Sequence, residues 1–173
     1  MAQMVQGKAF KDQATINAPA ERIFAALADI EARMRFFPGV NVTGCDGDVV
    51  VIDYVVNPIG VNVPVTFRAM RVSIVDAQEP TVLTWVADGP IKGTARWNLQ
   101  SQGESKSTLV TLNINYQMST DSINSALGGG TGGVGGVVGG VTTNLNEVIS
   151  PLSSAISSHF QREIENLKRI TES

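Results

Sequence analysis

Residues 91–100, IKGTARWNLQ, decide the fold because they alternate between apolar or small side chains and polar ones. The apolar or small face carries Ile91, Gly93, Ala95, Trp97 and Leu99. A period of two residues is typical of a β-strand with one face buried and the other in water. The stretch therefore predicts one strand of an antiparallel sheet that covers a hydrophobic core.

The same period extends outward from this strand, from Val40 to Met118. Turn sequences interrupt it at residues 44–48, 57–60, 78–80, 88–90 and 101–107. Near Ala69 the apolar positions switch from odd to even numbers, which predicts a β-bulge. Strands joined by short turns, with no helix between them, indicate an antiparallel meander.

Helical periodicity flanks the meander on both sides. A first strand is predicted over residues 8–17, and Pro19 and Glu21 then favour the start of two short helices that end before Pro38. From Leu145 to Ile170, apolar residues recur every three or four positions, which predicts one long amphipathic helix. Pro151 either kinks this helix or marks its start. The predicted class is α+β, with a single domain over residues 1–173.

Composition excludes several functional classes. The chain has 173 residues, a net charge of −3 and no cluster of Lys and Arg, which argues against nucleic acid as a partner. Cys45 is the only cysteine and His159 the only histidine, which excludes an internal disulfide and a zinc site built from several such ligands. We expect no cofactor and no metal. The first residues lack the apolar run of a signal peptide, so we expect a cytoplasmic protein.

Short motifs resemble the START-like and birch-pollen-allergen-like helix-grip superfamily (SRPBCC). The resemblance lies in residues 16–24 (INAPAERIF), in Leu27-Ala28-Asp29, in Phe37-Pro38-Gly39-Val40 and in Asn166–Ile170. The nearest types are the polyketide cyclases and the accessory proteins of carbon monoxide dehydrogenase, the latter through Phe37-Pro38-Gly39 and the run 59–67. The resemblance implies a helix-grip fold, in which a curved antiparallel sheet of about seven strands surrounds the C-terminal helix and two short helices follow the first strand.

A sheet curled round a helix leaves space for an apolar ligand, and we expect aromatic and aliphatic side chains to line it. The alternative for each residue is plain core packing. The candidate ligand-binding residues are Phe37, Tyr54, Val65, Phe67, Trp85, Trp97, Tyr116, Ile156, His159, Phe160 and Glu163.

His159 and Glu163 lie one helical turn apart inside the apolar stripe of the C-terminal helix, so we expect them to point toward the sheet. One interpretation is a polar anchor or acid/base pair for a bound ligand. The other is a histidine with satisfied hydrogen bonds beside a solvated glutamate. We assign no catalytic residue.

Three further features are expected to have no chemical role. Cys45 has no nearby basic residue to lower its thiol pKa, which argues against a nucleophile. Arg71 is either an anchor for an anionic head group or a surface residue, and the bulge favours the surface. Residues 128–140 contain nine glycines, so the match of Gly128, Gly130 and Gly133 to a nucleotide-binding pattern arises by chance. We expect this glycine-rich loop, before the C-terminal helix, to be mobile at the cavity rim or to extend the helix.

Three functions follow as hypotheses. The first is a binding or carrier protein for a hydrophobic small molecule such as a lipid, an isoprenoid or an aromatic compound. The second, from the resemblance, is an enzyme of the polyketide cyclase/aromatase type. The third is an accessory protein of the carbon monoxide dehydrogenase type, with a transient membrane or enzyme-complex contact. The oligomeric state stays open.

Overall fold

The computed structural model describes residues 3–58, 60, 63–104, 106–128, 137–138, 141–142 and 145–172. The strands are β1 (Met4–Gln6), β2 (Phe10–Ile16), β3 (Val40–Asp46), β4 (Val49–Val56), β5 (Val65–Gln78), β6 (Val82–Asp88), β7 (Ile91–Gln102), β8 (Ser107–Ser119), β9 (Val137–Val138) and β10 (Val141–Thr142). The helices are α1 (Ala20–Ala28), α2 (Ile30–Phe36), α3 (Thr120–Gly128) and α4 (Leu145–Glu172).

One antiparallel sheet of eight strands forms the body of the protein, in the order β1-β8-β7-β6-β5-β4-β3. The strand β2 also pairs with β8, beyond the end of β1, so that β1 and β2 together form one interrupted edge strand. The six strands from β3 to β8 are joined in sequence order, which confirms the predicted meander. The sheet has seven strands, as expected, if β1 and β2 are counted together as one edge strand.

The predicted bulge lies in β5. Pairing with β4 shifts register between Ile52 and Tyr54, and Ala69 has a φ of 57°. The Ala69 amide donates to the Asp53 carboxylate at 2.9 Å, which holds this backbone in place. As a result Phe67 and Met70 are both buried on the inner face, although their numbers differ in parity.

The two short helices after β2 follow the predicted signals. Pro19 precedes the first turn of α1, and Glu21 lies within that turn, where a carboxylate suits the positive end of the helix. The Asp29 side chain caps α2 by accepting from the Ala32 amide. Residue Phe37 ends α2 in an extended conformation and enters the core.

The helix α4 packs its apolar face over the sheet, as predicted. Its buried apolar residues are Val148, Leu152, Ala155, Ile156, Ile164 and Leu167. Pro151 lies inside the helix rather than at its start. Ile170, which was expected at the end of the buried stripe, is 44% exposed, whereas the next residue, Thr171, is buried.

The helix α3 was not predicted, and it begins directly where β8 ends. The Thr120 amide donates to the Gln3 carbonyl at 3.0 Å, and Ile123 is fully buried. The helix packs against β5, with smaller contacts to β8 and α4. Apart from Gly128, Val137 and Val138, the predicted glycine-rich loop 128–140 lies outside the described residues.

One boundary prediction was wrong: the turn expected at residues 44–48 is confined to Gly47 and Asp48, because β3 continues to Asp46. The first strand, expected over residues 8–17, corresponds to β2, and the additional strand β1 lies before the expected range. None of the described helices is long and apolar enough to cross a membrane.

Candidate functional site

A cavity of about 80 Å³ lies between the inner face of the sheet, the end of α2 and the middle of α4. Apolar side chains dominate its wall, and the described lining residues include no carboxylate, thiol or cationic group. They are Met34, Phe37, Val40, Ile52, Tyr54, Met70, Val72, Trp85, Val86, Ala87, Ile91, Gly93, Thr94, Ala95, Ile114, Tyr116, Ile156 and Phe160. A cavity of this size and character holds a single ring or a short alkyl chain.

Helix α2 and helix α4 meet at an aromatic contact on this wall. The rings of Phe37 and Phe160 are 4.8 Å apart, centre to centre, in an edge-to-face arrangement, and Phe37 also meets Tyr54 edge-on at 6.0 Å. Edge-to-face contacts fix the relative positions of rings better than aliphatic contacts do. The helical side of the wall is therefore well defined.

Tyr54 and His159 form a hydrogen bond that joins β4 to α4. The distance from Tyr54 Oη to His159 Nδ1 is 2.6 Å. Burial raises the pKa of Tyr54 well above its usual value of 10, and burial, with a smaller effect of Arg162, lowers the pKa of His159 below 6.5. At neutral pH the phenol therefore keeps its proton and the imidazole is uncharged, so the tautomer of His159 decides which of the two groups donates.

The close approach of α2, β4 and α4 at this bond requires a glycine. Gly39 has a φ of 78°, and a Cβ there would overlap the Val55 carbonyl oxygen and lie 3.4 Å from His159 Cε1. Only a residue without a side chain fits this conformation and this space. The Phe37-Pro38-Gly39 motif thus positions the His159 ring.

Tyr116 lies in the wall and packs closely against the backbone of two further glycines, Gly7 and Gly93. A Cβ at Gly7 would overlap the Tyr116 ring, and a Cβ at Gly93 would lie 2.5 Å from Tyr116 Cβ. The Tyr116 hydroxyl is buried and makes no hydrogen bond of good geometry with the described residues. Burial raises its pKa, an effect that the nearby Ser153 hydroxyl partly offsets.

Glu163 does not face the cavity but lies against α2. Its carboxylate oxygen is 3.7 Å from Arg33 Nη1, and both side chains are buried. This distance is too long for a hydrogen bond but short enough for an ion pair, and among the described residues neither carboxylate oxygen nor Arg33 Nη1 makes a contact with the geometry of a hydrogen bond. Burial raises the pKa of Glu163 to about 7, while Arg33 and Asn166 oppose the shift. The expected His159–Glu163 pair is thus divided between two partners, Tyr54 and Arg33.

Six of the eleven candidate ligand-binding residues lie on the wall: Phe37, Tyr54, Trp85, Tyr116, Ile156 and Phe160. Val65, Phe67 and Trp97 are fully buried in the core but do not line the wall. His159 contacts the wall through Tyr54, and Glu163 is separated from it. Sequence reasoning missed the other twelve of the eighteen wall residues, Met34, Met70 and Val72 among them. The apolar alternation after Ala69 was the available signal for Met70 and Val72.

Trp85 connects the wall to helix α1. Its indole N–H donates to the Leu27 carbonyl at 3.1 Å, and its ring meets Trp97 edge-on at a centroid distance of 5.2 Å. Leu27 lies in the last turn of α1, so the bond also satisfies a carbonyl near the helix end. The contacts with Leu27 and Trp97 therefore hold the Trp85 ring in its orientation on the wall.

The remaining candidates do not line the cavity. Cys45 is exposed, and its thiol donates to Glu31, which raises the thiol pKa. Arg71 is exposed and pairs with Asp46 at 3.1 Å, as the surface interpretation predicts. Within the described part of the chain, no three His, Cys, Asp or Glu side chains are placed to hold a metal ion.

Solved structures share this fold at low sequence identity. The Zhui aromatase/cyclase from Streptomyces sp. R1128 has a TM-score of 0.61 and 15% identity, over 98% of this chain and 94% of that chain. A START superfamily protein from Mycobacterium smegmatis has a TM-score of 0.57 and 15% identity, over 95% and 100%. The di-domain aromatase/cyclase StfQ of the steffimycin biosynthetic pathway has a TM-score of 0.58 and 13% identity, over 98% of this chain and 51% of that chain.

These likenesses confirm the helix-grip fold, and together with the family match that follows they confirm the resemblance to the START-like superfamily. No curated protein sequence matches the chain. A family model described as "Polyketide cyclase / dehydrase and lipid transport" matches residues 8–170, which is nearly the whole chain. The chain therefore belongs to the polyketide cyclase / dehydrase and lipid transport family.

Proposed function

We propose that the protein binds a small hydrophobic molecule in the cavity between the sheet and α4 and carries it without transforming it. The observation that supports this function is the character of the wall, which is apolar and has no charged or nucleophilic side chain among its described residues. An apolar cavity excludes water and favours an apolar guest. The family description, which includes lipid transport, agrees with a ligand-holding role.

The size of the cavity narrows the ligand class. Sites for drug-sized ligands commonly measure roughly 300–1,000 Å³, whereas this cavity measures about 80 Å³. Among the chemical classes that suit an apolar wall, a compound with one aromatic ring fits best. A longer lipid or isoprenoid requires the wall to open. The contact between Phe37, which directly follows α2, and Phe160 of α4 is the part of the wall where two helices meet.

Calorimetric titration with benzene, toluene and ethylbenzene tests this function. Wild-type protein should bind at least one of them with a dissociation constant below about 1 mM, which corresponds to about 4 kcal/mol. Ala95→Leu adds three carbon atoms to a buried wall position and should weaken binding at least tenfold. Ala25→Leu, on the exposed side of α1, is the matched control and should bind like wild type. A folded wild-type protein that binds none of the three compounds would refute the proposal.

The Tyr54–His159 hydrogen bond favours a second candidate, an enzyme of the polyketide cyclase type. In the tautomer of His159 that carries its proton on Nδ1, this half-buried imidazole can give that proton to the Tyr54 phenolate after Tyr54 has protonated a substrate oxygen, and it then regains a proton from solvent at Nε2. Ring closure between a carbanion and a carbonyl needs one such proton, and the later loss of water needs another.

Mass spectrometry after incubation with a short poly-β-ketone tests this candidate. The enzyme should yield a cyclised product that has lost water, and Tyr54→Phe should reduce its rate by about 10²-fold or more. Equal rates in wild type, Tyr54→Phe and buffer would rule this activity out, and would leave the carrier function in place.

A further inference from the structure

Helices α2 and α4 are joined by side chains rather than by close backbone packing. The backbone of α2 lies against β3, β4 and α1, and that of α4 lies against β2, α1 and β4. Between the two helices the rings of Phe37 and Phe160 meet at 4.8 Å, and one helical turn further along Arg33 Nη1 lies 3.7 Å from Glu163 Oε1. We call these four residues the α2–α4 seam. Since Phe37 and Phe160 line the cavity, the seam forms part of the cavity wall.

The Arg33–Glu163 pair in the seam is buried without hydrogen bonds that would offset the loss of water. The two side chains are 6% and 0% exposed, and neither Arg33 Nη1 nor a Glu163 carboxylate oxygen makes a hydrogen bond of good geometry with a described residue. In such a pair the lost hydration is comparable with the Coulomb attraction. Separating the helices returns water to both groups, and this gain is larger when Glu163 is charged. The seam is therefore held more firmly while Glu163 is protonated.

Helix α2 can move as a short unit. It has only seven residues, Ile30–Phe36, and a helix of that length is not stable alone, so its position depends on its contacts. Asp29 before it and Phe37 after it have a non-helical backbone, which separates α2 from α1 and from β3. A change in the seam can thus shift α2 without unwinding the helices and strands around it.

We infer that the α2–α4 seam is the gate through which the apolar ligand reaches the cavity, and that ionisation of Glu163 opens it. The inference rests on the proposed carrier function and adds its control. Burial raises the pKa of Glu163 to about 7, against the attraction of Arg33 on α2 and of Asn166 on α4, so its charge changes close to neutral pH. His159, one turn away and bound to Tyr54 of β4, loses its charge at lower pH because burial lowers its pKa.

Thiol labelling of the ligand-free protein tests the opening of the seam. In a Cys45→Ser background, Met34→Cys places a thiol in α2 at the cavity wall, where 4,4′-dithiodipyridine reaches it only when the seam opens. Val110→Cys, buried in β8 but not on the wall, reports global unfolding. At pH 8 we expect Met34→Cys to react at least about tenfold faster than Val110→Cys, since local opening costs less free energy than global unfolding.

The role of Glu163 is measured by adding Glu163→Gln to the Met34→Cys protein. The ratio of the two labelling rates at the same pH removes the ionisation of the thiol itself. The protein with Glu163 should gain on the Gln variant by about tenfold between pH 5.5 and 8, because opening releases the Glu163 proton. Glu165→Gln, at an exposed position, should keep the full rise. A ratio that does not change with pH, or labelling no faster than that of Val110→Cys, would overturn the gate.

Exchange of a bound probe links the seam to the carrier function. The dissociation rate of fluorobenzene, followed by ¹⁹F exchange NMR, should rise with pH in wild type by about the same factor as the labelling ratio, and should stay nearly constant in Glu163→Gln. Normal binding with a dissociation rate that does not depend on pH in wild type would overturn the gate alone. A folded wild type that binds no fluorobenzene would refute the carrier function and the gate with it.

Discussion

The buried carboxyl of Glu163 should make the stability of the protein depend on pH. Burial raises the pKa of Glu163 from 4.5 to about 7 in the folded state, and in the unfolded chain the pKa returns to its ordinary value. Between about pH 4.5 and 7 the folded protein therefore keeps a proton that the unfolded chain has released. Across that window the free energy of unfolding should fall as the pH rises, and above about pH 8 the effect should be complete.

The size of the effect follows from the two pKa values. Since one pKa unit corresponds to about 1.4 kcal/mol, the difference between 4.5 and about 7 corresponds to about 3 kcal/mol as an upper bound. Arg33 already opposes the shift, so its attraction is included. His159 acts in the opposite sense: burial lowers its pKa, so its contribution is present above about pH 6.5 and is lost as the pH falls.

Urea unfolding of wild type and Glu163→Gln at several pH values from 5 to 8 separates the two contributions. Glutamine resembles the protonated carboxyl, so the variant should lose the part of the pH dependence that belongs to Glu163 and keep the part that belongs to His159. The difference between the two proteins should change by about 2–3 kcal/mol over this range. Glu165→Gln, at an exposed position two residues away, should leave the wild-type profile unchanged. Parallel profiles for wild type and Glu163→Gln would show that the carboxyl is hydrated and that the buried position is wrong.

Two further results are expected. His159 is the only histidine, so its ring protons can be followed by NMR without assignment. They should titrate below pH 6.5 because the ring is half-buried, and a midpoint at or above 6.5 would contradict that environment. Gly39→Ala should lower the free energy of unfolding by about 3 kcal/mol, because the new Cβ would overlap the Val55 carbonyl oxygen. Gly47 has a similar positive φ but open space around it, so Gly47→Ala should lower the free energy of unfolding by only about 1 kcal/mol. Equal losses in denaturant unfolding would remove the steric argument for Gly39.

The architecture was predictable because two periodicities specify it. Alternation at period two gave the six strands of the meander, and the helical stripe after Leu145 gave α4. Helix α3 gave no such signal: within Thr120–Gly128 the described side chains include one fully buried aliphatic residue, Ile123, among several small polar ones. Its position depends on the end of β8 and on β5, and neither contact can be read from the local sequence.

The candidate site was predictable in composition more than in geometry. The spacing of His159 and Glu163 on one helix correctly placed both near the apolar stripe, but it carried no information about the elements opposite them. Their partners, Tyr54 and Arg33, lie more than a hundred positions earlier in the chain. Partners so distant are decided by the packing of β4 and α2 against α4.

The bulge at Ala69 determines both what the cavity wall contains and what it excludes. If β5 alternated without interruption after Phe67, Ala69 and Arg71 would face inward and would put a cation beneath α4. The extra residue reverses the alternation, so Met70 and Val72 line the wall and Arg71 reaches Asp46 at the surface. A single irregularity in one strand therefore keeps the cavity apolar instead of charged. The Asp53 carboxylate accepts a hydrogen bond from the Ala69 amide and so stabilises this irregularity. Asp53 thus affects the polarity of a cavity that it does not line.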